Sequence, residues 1–383
     1  MPMNYCPHCQ TENATENKFC QHCGKSLEEE NSHAVADDSY ETVRWQGGSV
    51  GVIGIKRSVN LNHLFEQKKR VWLGRSVDAD VHLPHFSISR YHAELEKTER
   101  GILLRDHGSL NGTFVNGNRA ADSVLLKDQD QFGIGPYFFH LNDQKLLVVD
   151  NSKSLRLQAQ QLEKTVRDPN GQPKKLLDNI NLVIEPGEFV SLLGPSGSGK
   201  STLMDCLNGR RPATGGTVLA NGENFYLYYD NFRQSLGYVP QKDIVHTQLT
   251  VFRALYYTAL LRLPTDTDRS ELHARVEEVL KQMELQPHRN TLVGQLSGGQ
   301  IKRVSLGAEL IASPCLLYID EATSGLDAGT EARMMRLFRN LADEGKSIVC
   351  ITHNVDNVDL CNLILVLARG KLVYYGPPSE ART

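Results

Sequence analysis

The chain has 383 residues, too many for one typical domain, and ordinary globular composition with 40% hydrophobic residues. A formal net charge of −3 with no dense Lys/Arg block gives no sign of a nucleic-acid or anionic-membrane binder. The longest apolar runs, such as Leu363 to Ala368, are far shorter than the roughly eighteen residues that a bilayer-crossing helix needs. The N-terminus has no apolar signal core and reaches cysteines within a few residues, so a cytosolic protein is expected.

In residues 1–27, Cys6 and Cys9 form one C-x-x-C turn and Cys20 and Cys23 a second. Each turn offers two thiolates on one side, a spacing suited to tetrahedral Zn²⁺. Tyr5, Phe19 and Leu27 are too few to build a core, so metal would supply most of the folding energy. The segment resembles the short zinc ribbons of many bacterial proteins. His8 and His22 lie inside the turns, but four cysteines already complete a shell. Residues 28–47 carry Glu28, Glu29, Glu30, Asp37, Asp38 and Glu41 and read as a solvated acidic linker.

From 48 to 149, short alternating runs are separated by Gly, Asn and Asp: Val50 to Ile55, Val71 to Leu73, His92 to Leu95, Ile102 to Leu104, Thr113 to Val115, Gln131 to Ile134 and Phe138 to Leu141. Such spacing predicts an all-β sandwich. Gly74-Arg75-Ser76, Ser89-Arg90-Tyr91-His92 and Ser109-Leu110-Asn111-Gly112 within it resemble the forkhead-associated (FHA) domain. The resemblance implies a phosphothreonine-peptide reader with its site on loops at one end. Arg75 and Ser89 would hold the phosphate, Arg90 would lie beside it, and Asn111 would bond the peptide backbone. A doubly charged phosphate calls for this guanidinium-and-hydroxyl chemistry. Gly74 and His92 are expected to shape the loop.

A polar joint follows at Asp150 to Ser154, and a third domain is expected over 155–380. Phe189 to Leu193 is an apolar strand leading into Gly194-Pro195-Ser196-Gly197-Ser198-Gly199-Lys200-Ser201-Thr202, with Leu203, Met204 and Leu207 behind it at helical spacing. This is a phosphate-binding loop: glycines let backbone N–H groups wrap a polyphosphate, and the helix beginning at Lys200 aims its positive end at the anion. Lys200 is placed for the outer phosphates and Ser201 for Mg²⁺. Downstream come Gly237 to Gln241, a mostly helical stretch from Leu249 to Leu310 broken at Pro264 and Pro287, Leu296-Ser297-Gly298-Gly299-Gln300, Leu316 to Glu321, Ser324 to Asp327, and Ser347 to His353. In this order they resemble the ATP-binding cassette (ABC) ATPases.

That resemblance implies a catalytic set of Glu321, which would polarise the attacking water, with His353, Lys200 and Gln241. Asp320, with Ser201 and Gln241, would hold Mg²⁺. The signature around Ser297 and Gly299 and the loop at Asp327 would act on ATP held by another copy, implying a head-to-tail dimer. One departure is visible: the family often stacks an aromatic on adenine, and Leu162 to Val166 contains none.

Tyr238 to Asp243, Leu261-Arg262-Leu263-Pro264 and Gly370 to Pro377 resemble the G subfamily of ABC exporters. The fold class expected is therefore multidomain: a small four-cysteine zinc ribbon, an all-β FHA sandwich, and an α/β P-loop ATPase with a helical subdomain. The cofactors implied are ATP, Mg²⁺ and Zn²⁺. The partners are a second copy, a transmembrane domain on a longer chain or a separate subunit, and a phosphothreonine protein, with no nucleic acid. That would put the chain at the inner face of the membrane. Two other readings are a soluble ABC ATPase of DNA repair or translation and a phosphopeptide adaptor with an inactive ATPase. Intact Lys200, Asp320, Glu321 and His353 speak against the second.

The single cysteines Cys206, Cys315, Cys350 and Cys361 stand among apolar neighbours and are expected to be buried, reduced core thiols.

Overall fold

A computed structural model of the chain describes residues 3–5, 12–14, 55–142, 145–321 and 325–381. Strands β1 (Met3–Tyr5) and β2 (Glu12–Ala14) pair antiparallel, with Met3 opposite Ala14. Cys6, Cys9, Cys20, Cys23 and the linker 28–47 lie outside the described residues. The remainder divides into two units, residues 55–153 with 227–337, and residues 154–226 with 338–381.

The first of these begins with β3 (Ile55–Asn60), helix α1 (Leu61–Gln67), β4 (Arg70–Gly74), β5 (Val81–His82), β6 (Ala93–Thr98) and β7 (Gly101–Asp106). It continues with β8 (Thr113–Val115), β9 (Asn118–Arg119), β10 (Ser123–Leu126), β11 (Gln131–Ile134), β12 (Tyr137–Asn142) and β13 (Lys145–Asp150). They form two sheets, ordered β10-β7-β6-β4-β5 and β3-β13-β12-β11-β8-β9. Alternation decides what lies between them: Ile102 and Leu104 of β7 and Leu146 and Val148 of β13 turn inward and pack with Val71, Leu95, Phe132 and Phe139. The rings of Phe132 and Phe139 stack at 4.6 Å. This is the expected sandwich. The described first strand starts at Ile55, where the expected one ended. Helix α1 was not expected; the Asn60 side chain caps it by accepting from the N–H groups of Asn62 and His63.

After Leu227 the same unit holds helix α3 (Tyr229–Phe232), β19 (Leu236–Val239), α4 (Val251–Arg262), α5 (Arg269–Gln282), α6 (Gly298–Leu310) and β20 (Leu316–Asp320). Strands β19 and β20 are parallel, Leu236 opposite Leu316. Proline and caps set the helix limits. Helix α4 stops before Pro264, and α5 starts at a capping box in which Asp268 and Glu271 bond each other's backbone N–H. A β-carbon on Gly307 of α6 would lie 3.1 Å from Val279 and 3.5 Å from Leu255, so its lack of a side chain lets α4, α5 and α6 close on one another.

The other unit has two sheets. Strands β14 (Leu157–Arg167), β15 (Pro173–Ile184), β17 (Gly215–Ala220) and β18 (Glu223–Asn224) form an antiparallel sheet ordered β15-β14-β17-β18. Strand β16 (Phe189–Leu193) is buried along its whole length and lies parallel between β21 (Ser347–Ile351) and β22 (Leu363–Ala368). A strand covered on both faces reads as a nearly continuous apolar run, broken here only by Ser191, whose buried hydroxyl lies 2.9 Å from Cys361 Sγ. Strand β23 (Lys371–Gly376) pairs antiparallel with β22, and helix α2 (Lys200–Leu207) follows β16. Helix α7 (Ala328–Asp343) puts Phe338 edge-on to Phe189 at 6.0 Å. Cys206, Cys315, Cys350 and Cys361 are buried free thiols, as expected. Burial pushes the thiols of Cys206 and Cys361 up to about 11.

Candidate functional site

The loop from Gly194 to Gly199 leaves β16 at its C-terminal end and has backbone angles that only glycine takes without strain. Gly194, Gly197 and Gly199 have φ of 141°, 75° and 108°. A β-carbon on Gly194 would sit 2.2 Å from the Leu367 carbonyl oxygen, so no other residue fits. Gly199 is the N-cap of α2 and supplies no side-chain bond, leaving the first-turn N–H groups to an external acceptor. The Lys200 ammonium is folded onto the carbonyls of Gly194 and Pro195, at 2.9 and 3.1 Å. Among the described residues the buried Ser198 hydroxyl has no partner. Pro195, Ser196, Gly197 and Ser201 are exposed and Thr202 is half-buried. Backbone donors, a helix N-terminus and a lysine around an open glycine loop fit a polyphosphate. His353 is exposed just beyond β21, next to Thr352, whose N–H reaches the Leu192 carbonyl of β16 at 3.4 Å. The phosphate loop and His353 thus leave neighbouring parallel strands at the same end.

In the other unit, β20 delivers Asp320 and Glu321, both half-buried. The Tyr238 hydroxyl donates to Asp320 Oδ2 at 3.1 Å, and Gln241 Nε2 donates to Glu321 Oε2 at 2.7 Å. Glu321 has φ of 50°, an uncommon backbone state for a residue with a β-carbon and a frequent mark of functional positions. Lys302, one turn into α6, donates to the Gln241 carbonyl at 2.5 Å and pairs with Asp243 at 3.2 Å. The sequence reading assigned no site role to Tyr238 or Lys302. The available signal for Lys302 was a cation in line with the buried face of an amphipathic helix.

Ser297 is the N-cap of α6, accepting from the Gln300 N–H at 3.4 Å while Gln300 Oε1 accepts from the Ser297 N–H at 2.9 Å. A β-carbon on Gly299 would meet the Thr330 methyl at 2.4 Å, which explains the glycine. Asp327 Oδ1 accepts from the Thr330 N–H at 2.9 Å, and the hydrogen bonds from Thr330 hold its carboxyl below the ordinary range.

Arg75, Ser89, Arg90 and Asn111 come from three loops of the sandwich, and the structure brings them together. The N–H groups of Arg75 and Ser76 reach the carbonyls of Ser89 and Arg90 at 2.9 and 3.1 Å. Gly74 permits this, since a β-carbon there would lie 2.1 Å from the Arg90 carbonyl oxygen. His92 is fully buried: its Nδ1 accepts from the Ser89 N–H and its Nε2–H donates to the Gly112 carbonyl, each at 3.2 Å. Burial pushes its pKa down despite Asp106 at 3.8 Å, in keeping with a neutral ring. Asn111 Nδ2 donates to the Ser87 carbonyl at 2.7 Å. Arg75 is anchored by Nε to the Ile88 carbonyl at 3.0 Å, and its outer nitrogens meet Asp266, which precedes α5, and Glu271 in the first turn of α5.

Residues 177–324 match the family model described as ABC transporter, residues 71–135 the FHA domain, and residues 5–27 the zinc-ribbon domain. The ABC transporter ATP-binding/permease protein Rv1747 of Mycobacterium tuberculosis is 41% identical over 312 residues, covering 81% of this chain and 36% of that protein. ABC transporter G family member 14 of Arabidopsis thaliana is 35% identical over 234 residues, covering 59% of this chain and 36% of that protein. The chain thus spans about a third of the length of these curated relatives. Among solved structures, cbiO1 of Clostridium perfringens, part of the ABC transporter complex cbiONQ, superposes with a TM-score of 0.54 at 28% identity, over 59% of this chain and 90% of its own. The dimeric bacterial ABC transporter cassette MJ0796 gives a TM-score of 0.52 at 28% identity, over 58% and 98%.

Proposed function

Taking as premise a chain that joins a zinc ribbon, an FHA domain and an ABC-type ATPase domain, we propose that it is the ATP-hydrolysing part of an ABC-type exporter, active as a head-to-tail dimer and controlled by phosphothreonine recognition. The observation that carries the ATPase reading is the phosphate loop: three glycines at positive φ, an uncapped helix start and Lys200 held over the loop carbonyls. Loop amides and Lys200 hold the phosphates of ATP. Glu321 accepts a proton from the attacking water, Gln241 positions Glu321, and His353 contacts the terminal phosphate. Ser201, Gln241 and Asp320 would hold Mg²⁺, whose charge neutralises the phosphates. Ser297 and Gly299 present the start of α6 to nucleotide held by the facing copy, with Asp327 close by in sequence to Thr330, which touches that helix.

A membrane-spanning partner, on a longer chain or a separate one, would take up the work of hydrolysis and keep this part at the cytoplasmic face. No helix among the described residues is long and apolar enough to cross a membrane. Cys6, Cys9, Cys20 and Cys23 would bind Zn²⁺, a reading supported by their spacing and the zinc-ribbon match. The test is a Mg-ATP hydrolysis assay of the purified chain. Turnover that Lys200→Ala abolishes is expected, and a parent chain that binds Mg-ATP without hydrolysing it would favour the adaptor reading.

A further inference from the structure

The loops read as a phosphate site are already engaged by acids of the same structural unit. Arg75 Nη1 bonds Glu271 Oε1 at 3.1 Å, Nη2 bonds Thr267 Oγ1 at 3.3 Å, and Asp266 lies 3.8 Å away. Arg90 Nη2 pairs with Asp268 at 2.8 Å and Glu271 at 3.3 Å, and the Arg90 backbone N–H donates to Asp266 Oδ2. The Arg75 side chain is only 13% exposed in this arrangement.

We infer that the segment Asp266–Glu271 is a built-in competitor of the FHA domain: its carboxylates occupy the phosphate-reading arginines, and a phosphothreonine peptide binds only when that segment leaves. The inference rests on the reading of Arg75 and Arg90 as the phosphate site. Carboxylate oxygens are the nearest side-chain equivalent of phosphate oxygens, and guanidinium pairs with both. A phosphothreonine brings about −1.5 to −2 charges to the same two cations. Held beside Asp266, Asp268 and Glu271, it would meet three like charges for two arginines, so the two ligands exclude each other.

The contact belongs to a built interface. Phe138 of β12 packs on Phe232 at 5.0 Å and Tyr228 at 5.8 Å, and the Arg275 guanidinium lies over the Phe86 ring at 4.7 Å. Gly133 has no room for a β-carbon, because Asn231 Nδ2 would be 2.0 Å from it. The competing acids also have a second duty, since Asp268 and Glu271 form the capping box of α5. Hydrogen bonds from Ser270 and the Glu271 N–H, then Arg90, hold Asp268 down at about 2. Burial raises the Glu271 pKa, but its bond and charge contact with Arg75, the Asp268 N–H and the charge of Arg90 together outweigh this and leave it lowered. Helix α5 packs on α6, which Ser297 caps. Displacement by phosphopeptide therefore frees the start of a helix that supports the ATPase signature.

The test uses the whole chain and a random-sequence phosphothreonine peptide pool, labelled for fluorescence anisotropy, with the unphosphorylated pool as control. The Asp266→Asn/Asp268→Asn/Glu271→Gln variant should bind the phosphorylated pool at least about tenfold more tightly than the parent, the gain expected if the parent site is free a tenth of the time. Arg75→Ala should remove binding in both backgrounds. Because the triple variant alters a helix cap, Asp266→Asn alone, outside the cap, should give a smaller gain in the same direction. In the parent, hydrogen exchange at residues 266–272 should quicken when the phosphorylated pool is added. Equal, Arg75-dependent affinity of parent and variants, with unchanged exchange, would overturn the inference and leave the phosphothreonine reading standing. No phosphate-dependent binding by any of the chains would overturn both.

Discussion

Gln241 donates its side-chain amide to Glu321 across 2.7 Å, joining the residue after β19 and Pro240 to the one that follows β20. The pair has a support of its own, because Lys302 of α6 holds the Gln241 carbonyl at 2.5 Å. Replacing Lys302 by Met keeps the stem and removes the donor and charge. We expect a fall in ATP turnover with nucleotide affinity retained, measured by steady-state hydrolysis beside equilibrium binding of a fluorescent ATP analogue. Equal loss of binding would assign Lys302 to nucleotide contact.

His92 gives the FHA domain a pH dependence with a definite sign. Its folded pKa is depressed by burial, so it stabilises the fold in the neutral state above its unfolded value of about 6.5 and loses that contribution as pH falls below it. Protonation also costs the acceptor that holds the Ser89 N–H. Thermal unfolding of the parent should show a falling midpoint from pH 7.5 to 5.5, and His92→Gln should flatten the slope. An identical slope in both chains would remove His92 as its origin.

Gly74→Ala should destabilise the sandwich by about 1–3 kcal/mol, the usual cost of overpacking. The new methyl would point at a backbone carbonyl oxygen 2.1 Å away, which no rotamer change relieves. A lower urea midpoint for the sandwich transition, followed by Trp72 fluorescence, is the expected result.

Zinc is a separate matter of composition. Elemental analysis should find about one zinc per chain, lost on Cys20→Ser, as a four-thiolate site requires. A metal-free preparation with a protease-resistant N-terminus would exclude it.

The fold was legible in the sequence where one face of an element meets the core. Alternation at Ile102 and Leu104 and the largely apolar run Phe189 to Leu193 identified strands. Strand β14 was missed because its polar residues Gln158, Gln160, Gln161, Glu163 and Lys164 hide the inward Leu157, Ala159 and Leu162. Helix α1 was missed because only Leu61 of its seven residues is fully buried, leaving almost no periodic pattern. Among site residues, motif spacing singled out Lys200, Gln241 and Asp320. It could not find Tyr238 or Lys302, whose roles arise from separate elements meeting in space, nor the pairing of Arg75 with Glu271, which are 196 positions apart.

The composite-site dimer is most directly tested with Glu321→Gln, which keeps the size of the side chain and removes its ability to take a proton. Its hydrolysis rate should fall a hundredfold or more, roughly the contribution of a general base, while Mg-ATP remains bound. Gel filtration in Mg-ATP should then show a dimer, and adding Ser297→Arg, which drives a charged side chain into the site of the facing copy, should return it to a monomer. A Glu321→Gln chain that hydrolyses ATP at the parent rate, or that stays monomeric at saturating nucleotide while the parent dimerises, would contradict the account.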